Sequence, residues 1–455
     1  MRKRILLIIS NYCTKPYPVF PLGVAHIAAA LKREGHTVKI IDVLGASWDN
    51  LEDALKSFKP DYIGISQRNI DDLNIQGSVV YSDSLGPMIT RLRKVSSAPV
   101  ILGGSGFSLF PRELLERTGA DFGVQGEGDR ALPRLISALQ GAGKLANIAG
   151  LVYRHEGKVL INKQKPCPPM DIPAAFRPRS LCQWYLRRSL MLNIQTQRGC
   201  PFRCCYCTYP VIEGKKLRRR DYGELCGELR QMEKTGCAYF FIVDSVFNTS
   251  NDHVAALCET MLKRAMKMSW GCFLRPAGIT AELMRLMARA GLTHVEFGSD
   301  SLCDPVLDAY GKGFTFDDIY AASESARLAK VHYAHFLIAG GPGETESTLR
   351  EGYENSKRLR KTVYFPFVGM RLYPGTPLHS IACREGVLRK NADLFAPRFY
   401  LSPRITREKI FAILRSCHRQ SPNWIVDGIP PSIENVVRGL RAKGVTGPLW
   451  EFQAR

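Results

Sequence analysis

Cys200, Cys204 and Cys207 fall within the run Arg198-Gly199-Cys200-Pro201-Phe202-Arg203-Cys204-Cys205-Tyr206-Cys207, and their C-x3-C-x2-C spacing constrains this chain more than any other feature. Three thiolates on one loop can each ligate a different iron of a [4Fe–4S] cube. The fourth iron then stays open for a small molecule, as a catalytic metal site keeps one position free. Cys205 is out of register and reads as a bystander, while Tyr206 sets an aromatic ring beside the open iron. A closed zinc site would need a fourth Cys or His at ligand spacing. Cys226 and Cys237 are available, but neither forms a second close pair.

A chain of 455 residues has room for two or three domains with full cores. Its 45% hydrophobic and 23% charged content excludes a disordered tract or a membrane bundle. Arg2-Lys3-Arg4 before Ile5 to Ile9 imitates a signal peptide, but the apolar run is too short and reads as a buried first strand. No stretch approaches a transmembrane span. Fourteen cysteines without a secretory signal point to a reducing cytoplasm. The net charge of +21 suits an anionic partner or substrate, or simply a solvated basic face. Lys215-Lys216-Leu217-Arg218-Arg219-Arg220 is the densest basic run and is expected to face solvent. Nucleic acid is a weak choice of partner, because no RNA-recognition signature is present.

Residues 1–141 alternate short apolar runs with helical patterns. Arg4 to Ile9, Thr37 to Asp42, Tyr62 to Ser66, Val100 to Leu102 and Phe122 to Val124 predict strands. Leu22 to Glu34, Ser84 to Val95, Pro111 to Thr118 and Ala131 to Leu139 predict helices. This is an α/β pattern with a doubly wound parallel sheet, whose ligands sit at the carboxyl ends of the strands. Residues 142–190 predict a hairpin around Glu156-Gly157-Lys158 and then an extended, proline-rich linker with Pro166, Pro168, Pro169, Pro173 and Pro178. Residues 191–385 alternate six strand signals with five helices, which predicts a partial (β/α)6 barrel. The cysteine loop follows its first strand, where such a site requires it. Residues 386–455 form a tail with two helices and a docking segment around Gly447-Pro448-Leu449-Trp450. It is expected to close the substrate side.

The cysteine loop resembles the signature of the radical S-adenosylmethionine (SAM) superfamily. In that superfamily the amino and carboxylate groups of SAM occupy the open iron, and reductive cleavage gives a 5′-deoxyadenosyl radical. The resemblance implies that Cys200, Cys204 and Cys207 bind the cluster. It also makes Tyr206, Asp244, Glu296, Ser299 and Asp300 the candidates for SAM contact. The usual Gly-Gly-Glu is replaced here by Val243-Asp244-Ser245, and the usual Glu-Ser by Asp300-Ser301. Tyr373-Pro374-Gly375-Thr376-Pro377-Leu378 also matches a family element and is read as a rigid turn closing the barrel.

The first domain resembles the cobalamin-binding domain that precedes the radical SAM core in one large subfamily. Pro21-Leu22-Gly23, Leu102-Gly103-Gly104 and Gly126-Glu127-Gly128-Asp129 carry the match. Leu22, Gly23, Ser66, Arg68, Gly103, Gly104, Gly106, Gly126, Glu127 and Gly128 become the implied cofactor contacts. The cobalt-ligating D-x-H-x-x-G motif is absent, since Val43, Leu44 and Gly45 follow Asp42. The resemblance therefore implies no histidine on cobalt, and Arg68 is a candidate for the cofactor's lower face. It implies an enzyme with three cofactors, a [4Fe–4S] cluster, SAM and cobalamin, that methylates an unactivated carbon. The substrate would be a small or carrier-bound molecule, and a flavodoxin or ferredoxin would supply electrons. The alternatives are a cyclase or rearrangement enzyme with the same cofactors, and a non-enzymatic zinc or nucleic-acid-binding protein.

Overall fold

The computed structural model describes residues 1–164, 172–426, 428 and 431–454. Pro166, Pro168 and Pro169 of the expected linker lie outside the described residues. The chain forms two compact units. One is Met1–Trp184 with Val211–Gly214 and Phe395–Pro397, and the other is the remainder from Tyr185 onward.

The first unit is built on β1 (Arg4–Ile9), β2 (Thr37–Asp42), β3 (Tyr62–Ser66), β4 (Val100–Gly103), β5 (Phe122–Val124), β6 (Leu151–His155) and β7 (Lys158–Ile161). The sheet order is β2-β1-β3-β4-β5-β6-β7, with β1 to β5 parallel and the last two antiparallel. Ile5 to Ile9 are buried throughout, because a central parallel strand is covered on both faces. Val24, Ala28 and Leu31 of helix Leu22–Arg33 and Leu132, Leu135 and Ile136 of helix Gly128–Leu139 share one core with Ile5, Leu7 and Ile9. The expected hairpin is present, but it is not separate from the sheet: β6 pairs with β5. Helix Trp48–Phe58 escaped the sequence reading. Its capping box uses Ser47 and Asn50, without the glutamate or glutamine that usually marks one. The order 2-1-3-4-5 reverses direction between β1 and β3, which opens a crevice at their carboxyl ends.

The second unit carries β8 (Leu192–Ile194), β9 (Tyr239–Ile242), β10 (Ser269–Leu274), β11 (Leu292–Asp300), β12 (His332–Ala339) and β13 (Thr362–Val368). All six are parallel and lie in sequence order, joined by helices, as the partial barrel requires. Side chains alternate between faces. Trp270 donates to the Ala290 carbonyl at 2.9 Å, and His335 stacks between Phe297 and Tyr364 on the helix side. Tyr239, Phe241, Phe273, His294 and Glu296 take the other face.

The tail divides between the two ends of the half-barrel: Phe399–Tyr400 pairs with Met370–Arg371, and Ser402 N–H donates to the Gly340 carbonyl at 2.8 Å, just past the carboxyl ends of β13 and β12. Trp450 is buried with Ala334, Val363 and Ile425, near the amino-terminal ends of β12 and β13. Arg441 donates to the Ser189 carbonyl just ahead of β8. The last residues of the tail therefore plug the amino-terminal end of the half-barrel, while its first segment lies at the carboxyl edge.

Candidate active site

The cysteine loop leaves β8 at its carboxyl end and is held along its length. The Asp244 carboxylate accepts from Thr196 N–H at 2.6 Å and Gln197 N–H at 3.3 Å, and from the Thr196 hydroxyl. Gln197–Arg198 pairs antiparallel with Arg218–Arg219. The basic run expected on the surface is therefore partly structural. Arg218 and Arg220 are buried, and Arg220 pairs with Glu228 at 2.8 Å with both side chains 1% exposed. Further along, Cys205 N–H donates to the Tyr310 carbonyl at 2.9 Å, and Leu378 N–H donates to the Cys205 carbonyl at 2.8 Å. Gly311 has φ +71, and a Cβ there would lie 2.8 Å from the Arg203 carbonyl oxygen. Only glycine permits both that backbone and that approach. The turn ending at Leu378 thus clamps the cysteine loop.

Cys200 is buried, and Cys204 and Cys207 are half-buried. Burial raises the Cys204 thiol and carries Cys207 up to about 12, and the charge of Lys312 opposes both shifts. Lys312 Nζ lies 2.5 Å from Asp300 Oδ2, and the Tyr206 hydroxyl donates to the same oxygen. Arg275 stacks on Phe202 at 4.4 Å and Phe314 at 4.9 Å, donates to the Gly313 carbonyl at 2.8 Å, and lies within electrostatic reach of Cys204 and Cys200. Three free thiols beside two cations suit an iron–sulfur cube, whose thiolates bring negative charge into the site. Among the described residues no three Cys, His, Asp or Glu side chains converge to hold one metal ion. Thiolates that each ligate a separate iron need converge on the cube and not on one ion. Cys237, weighed as a zinc ligand, precedes β9 at the opposite end of the sheet and donates to the Tyr239 carbonyl at 3.0 Å. Cys226 is buried in helix Tyr222–Lys234.

Of the residues expected to contact SAM, Tyr206 and Asp300 lie with the cysteines, Asp244 braces the start of their loop, and Ser299 and Glu296 bond elsewhere. Asp244 is used by the backbone of Thr196 and Gln197. Ser299 Oγ lies 2.8 Å from His335 Nδ1, in the layer between sheet and helices. Glu296 Oε1 accepts from Trp450 Nε1 at 3.1 Å, deep on the inner face. Lys312 and Arg275 were missed. Lys312 sits in the unremarkable Gly311-Lys312-Gly313, and Arg275 follows β10 with no motif to mark it.

Burial pushes the Glu296 carboxyl up to about 7, although the Trp450 hydrogen bond pulls the other way. Its folded value is therefore raised above the ordinary 4.5. Its stabilising contribution is complete below 4.5 and is lost as pH rises through 7. Glu296→Gln can still accept from Trp450 but does not titrate. Its stability relative to the parent is expected to rise by about 1.4 kcal/mol per pH unit across that window. Urea unfolding at pH 5, 6 and 7 measures this, and a difference that stays flat with pH refutes it.

In the first unit, Ser66, Gly103, Gly126 and their neighbours all lie at the carboxyl edge of the sheet. Gly104 has φ +100, and a Cβ there would lie 2.4 Å from the Gln67 carbonyl oxygen. A Cβ at Gly106 would lie 3.0 Å from the Arg68 carbonyl oxygen, so these two glycines serve loop-on-loop packing. Gly128 faces Ile27, Gly126 faces the Gln164 side chain, and Gly103 comes no closer than 3.8 Å to the Val124 carbonyl. Gly23, at the start of helix Leu22–Arg33, faces open space. Leu22 is buried, and Ser66 and Glu127 are half-buried. The Ser66 carbonyl accepts from the Ser10 hydroxyl at 3.0 Å. Arg68 is exposed, its backbone carbonyl accepting from the Ser105 hydroxyl at 2.8 Å. Together they form an open polar rim with a glycine and a helix start exposed, which fits a large amide-bearing cofactor.

Residues 14–136 match the B12 binding domain family, and residues 194–354 match the radical SAM superfamily. The tryptophan 2-C-methyltransferase of Streptomyces laurentii is 23% identical over 441 residues, covering 82% of this chain and 74% of that one. The anaerobic magnesium-protoporphyrin IX monomethyl ester cyclase of Rubrivivax gelatinosus is 25% identical over 374 residues, covering 78% and 65%. The solved structure of the radical SAM methyltransferase TsrM from Kitasatospora setae, with cobalamin and a [4Fe–4S] cluster bound, matches with a TM-score of 0.86 at 22% identity. That match covers 100% of this chain and 97% of that one. With a B12-binding domain ahead of a radical SAM core in one chain, this protein belongs to the cobalamin-binding radical SAM enzymes.

Proposed function

We propose that this chain is a cobalamin-dependent radical SAM enzyme that methylates a carbon. The observation that carries this reading is the pairing, in one chain, of a switch-point crevice and a cysteine loop at a barrel's carboxyl edge. When bound, the cofactors supply a carbon-centred radical and a transferable methyl group. The protein's own part is to hold and shield them. Cys200, Cys204 and Cys207 would hold the cluster on a loop clamped at Asp244, Tyr310 and Leu378. Lys312 and Arg275 would offset its negative charge, and Lys312 and Tyr206 keep the Asp300 carboxylate oriented beside it. Leu22, Gly23, Ser66, Gly103, Gly126 and Glu127 would line the cobalamin edge. Arg68 supplies a cation there that stays protonated and does not readily ligate metal.

The cyclase relative supports a second reading with the same cofactors and no methyl transfer. Anaerobic turnover with SAM, cobalamin and reductant, followed by product mass, separates the two, because only methylation adds a methyl unit. An unshifted product mass sinks the methyltransferase reading. Among the described residues no helix is long and apolar enough to cross a membrane, and the cysteines are free thiols. Those thiols support a reducing cytoplasmic setting and a soluble electron donor such as a flavodoxin or ferredoxin.

A further inference from the structure

The segment that follows β9 grips the start of the cysteine loop at several points. Gln197 Nε2 donates to the Val246 and Phe247 carbonyls at 2.7 and 2.9 Å, and Thr249 Oγ1 lies 3.1 Å from Gln197 Oε1. Arg219, paired with Gln197, donates to the Ser250 hydroxyl at 2.8 Å. Ser250 in turn caps helix Asn251–Lys263 by accepting from the His253 N–H at 3.3 Å. The His253 side chain is buried, with Phe247 edge to face against its ring and centroids 5.6 Å apart. Its two ring nitrogens face different partners. Nε2 lies 3.0 Å from Thr196 Oγ1, and Nδ1 lies 3.0 Å from the Tyr222 hydroxyl.

The direction of these bonds follows by elimination. Burial, helped by the charge of Arg219, pushes the imidazole down to about 4, so near neutral pH it carries a single N–H. The Asp244 carboxylate only accepts, so the one hydrogen of the Thr196 hydroxyl goes to it. The Thr196 oxygen then accepts from His253 Nε2–H, and Nδ1 is left to accept from Tyr222. Every hydrogen along Tyr222, His253 and Thr196 points toward the carboxylate that also holds the Thr196 and Gln197 N–H groups. We infer that His253 is a positioning residue for the cluster: its Nε2–H fixes the Thr196 hydroxyl on Asp244, and so fixes the backbone that leads into Cys200. Without that donor the Thr196 side chain is free to take another staggered rotamer and leave Asp244. The inference rests on the cysteines being cluster ligands, and it needs no methylation.

The test uses the full chain with its cluster reconstituted anaerobically. Ring 15N NMR of histidine-labelled protein at neutral pH is expected to show His253 protonated at Nε2 and bare at Nδ1. His253→Phe keeps a ring in place and removes both nitrogens. It is expected to lose iron to a ferrous chelator about tenfold faster, the lower end for removing a support of a metal ligand. The electron paramagnetic resonance g-values of its reduced cluster should also shift. His253→Gln, whose amide N–H reaches the Nε2 position, should restore both readouts toward the parent. Thr196→Val should match His253→Phe, and the double variant should be no worse than either single one. Tyr222→Phe, on the far side of the imidazole, should leave the cluster unchanged. Parent-like iron loss in His253→Phe overturns the inference, as does the Nδ1–H tautomer or an additive double variant. Parent-like iron loss in Thr196→Val overturns it too, and decides the matter if the phenylalanine variant fails to fold. A parent that holds no iron sinks the cluster reading and this inference with it, whereas the other adverse results sink this inference alone.

Discussion

Alanine at Cys200, Cys204 or Cys207 is expected to abolish bound iron and 5′-deoxyadenosine formation, each substitution acting alone, while Cys205→Ala keeps both. The adjacent pair Cys204–Cys205 makes the comparison sharp. Only Cys204 completes the C-x3-C-x2-C register. Cys205 holds the loop through its main chain, donating to Tyr310 and accepting from Leu378, and an alanine preserves both bonds. Loss of its small buried side chain costs about 1 kcal/mol, too little to unfold the loop. Iron and sulfide analysis of anaerobically reconstituted protein reads the first effect, and mass spectrometry of the nucleoside product reads the second. Cluster loss in Cys205→Ala with retention in Cys204→Ala would reverse the assignment.

The second large effect is expected at Lys312. Its ammonium and the Asp300 carboxylate are 2.5 Å apart with side chains only 8% and 7% exposed. Lys312→Met leaves that carboxylate buried with the Tyr206 hydroxyl as its remaining side-chain donor. Breaking one side of such a pair costs about 3–5 kcal/mol, far more than the pair's own net worth. The single variant is expected to lose that much in urea unfolding followed by tryptophan fluorescence. Lys312→Met combined with Asp300→Asn should recover most of it, because the double change removes both charges. A double variant no more stable than the single one would show that packing, not charge, is what Lys312 supplies.

Much of this protein was legible without coordinates. Five apolar runs in the first 124 residues became β1 to β5, because strands covered on both faces must be apolar along their length. The cysteine register and its place after a strand were equally plain, since ligand spacing is a local property. Side-chain direction was harder. Ser299 and Asp300 were both taken as SAM contacts, yet a register shift after Phe297, with Asp300 at φ +63, sends the two side chains to different surroundings. Ser299 accordingly meets His335 on the helix side. Glu296 lies before that shift and meets Trp450 instead. Asp244, two residues past the end of β9, spends its carboxylate on the backbone of the loop.

What the sequence by itself determined were the two α/β patterns, the cysteine loop at a strand end and the missing cobalt-ligating histidine motif. Each depends on residues close together in the chain. Only the tertiary structure decided that Lys312 and Arg275 lie beside the cysteines, that Arg218 and Arg220 are buried, and that the end of the tail plugs the amino-terminal end of the barrel. Those outcomes depend on contacts between segments 12 to 252 residues apart in the chain. No local pattern records such a pairing, because a buried charge is stabilised by its partner and not by its neighbours in sequence.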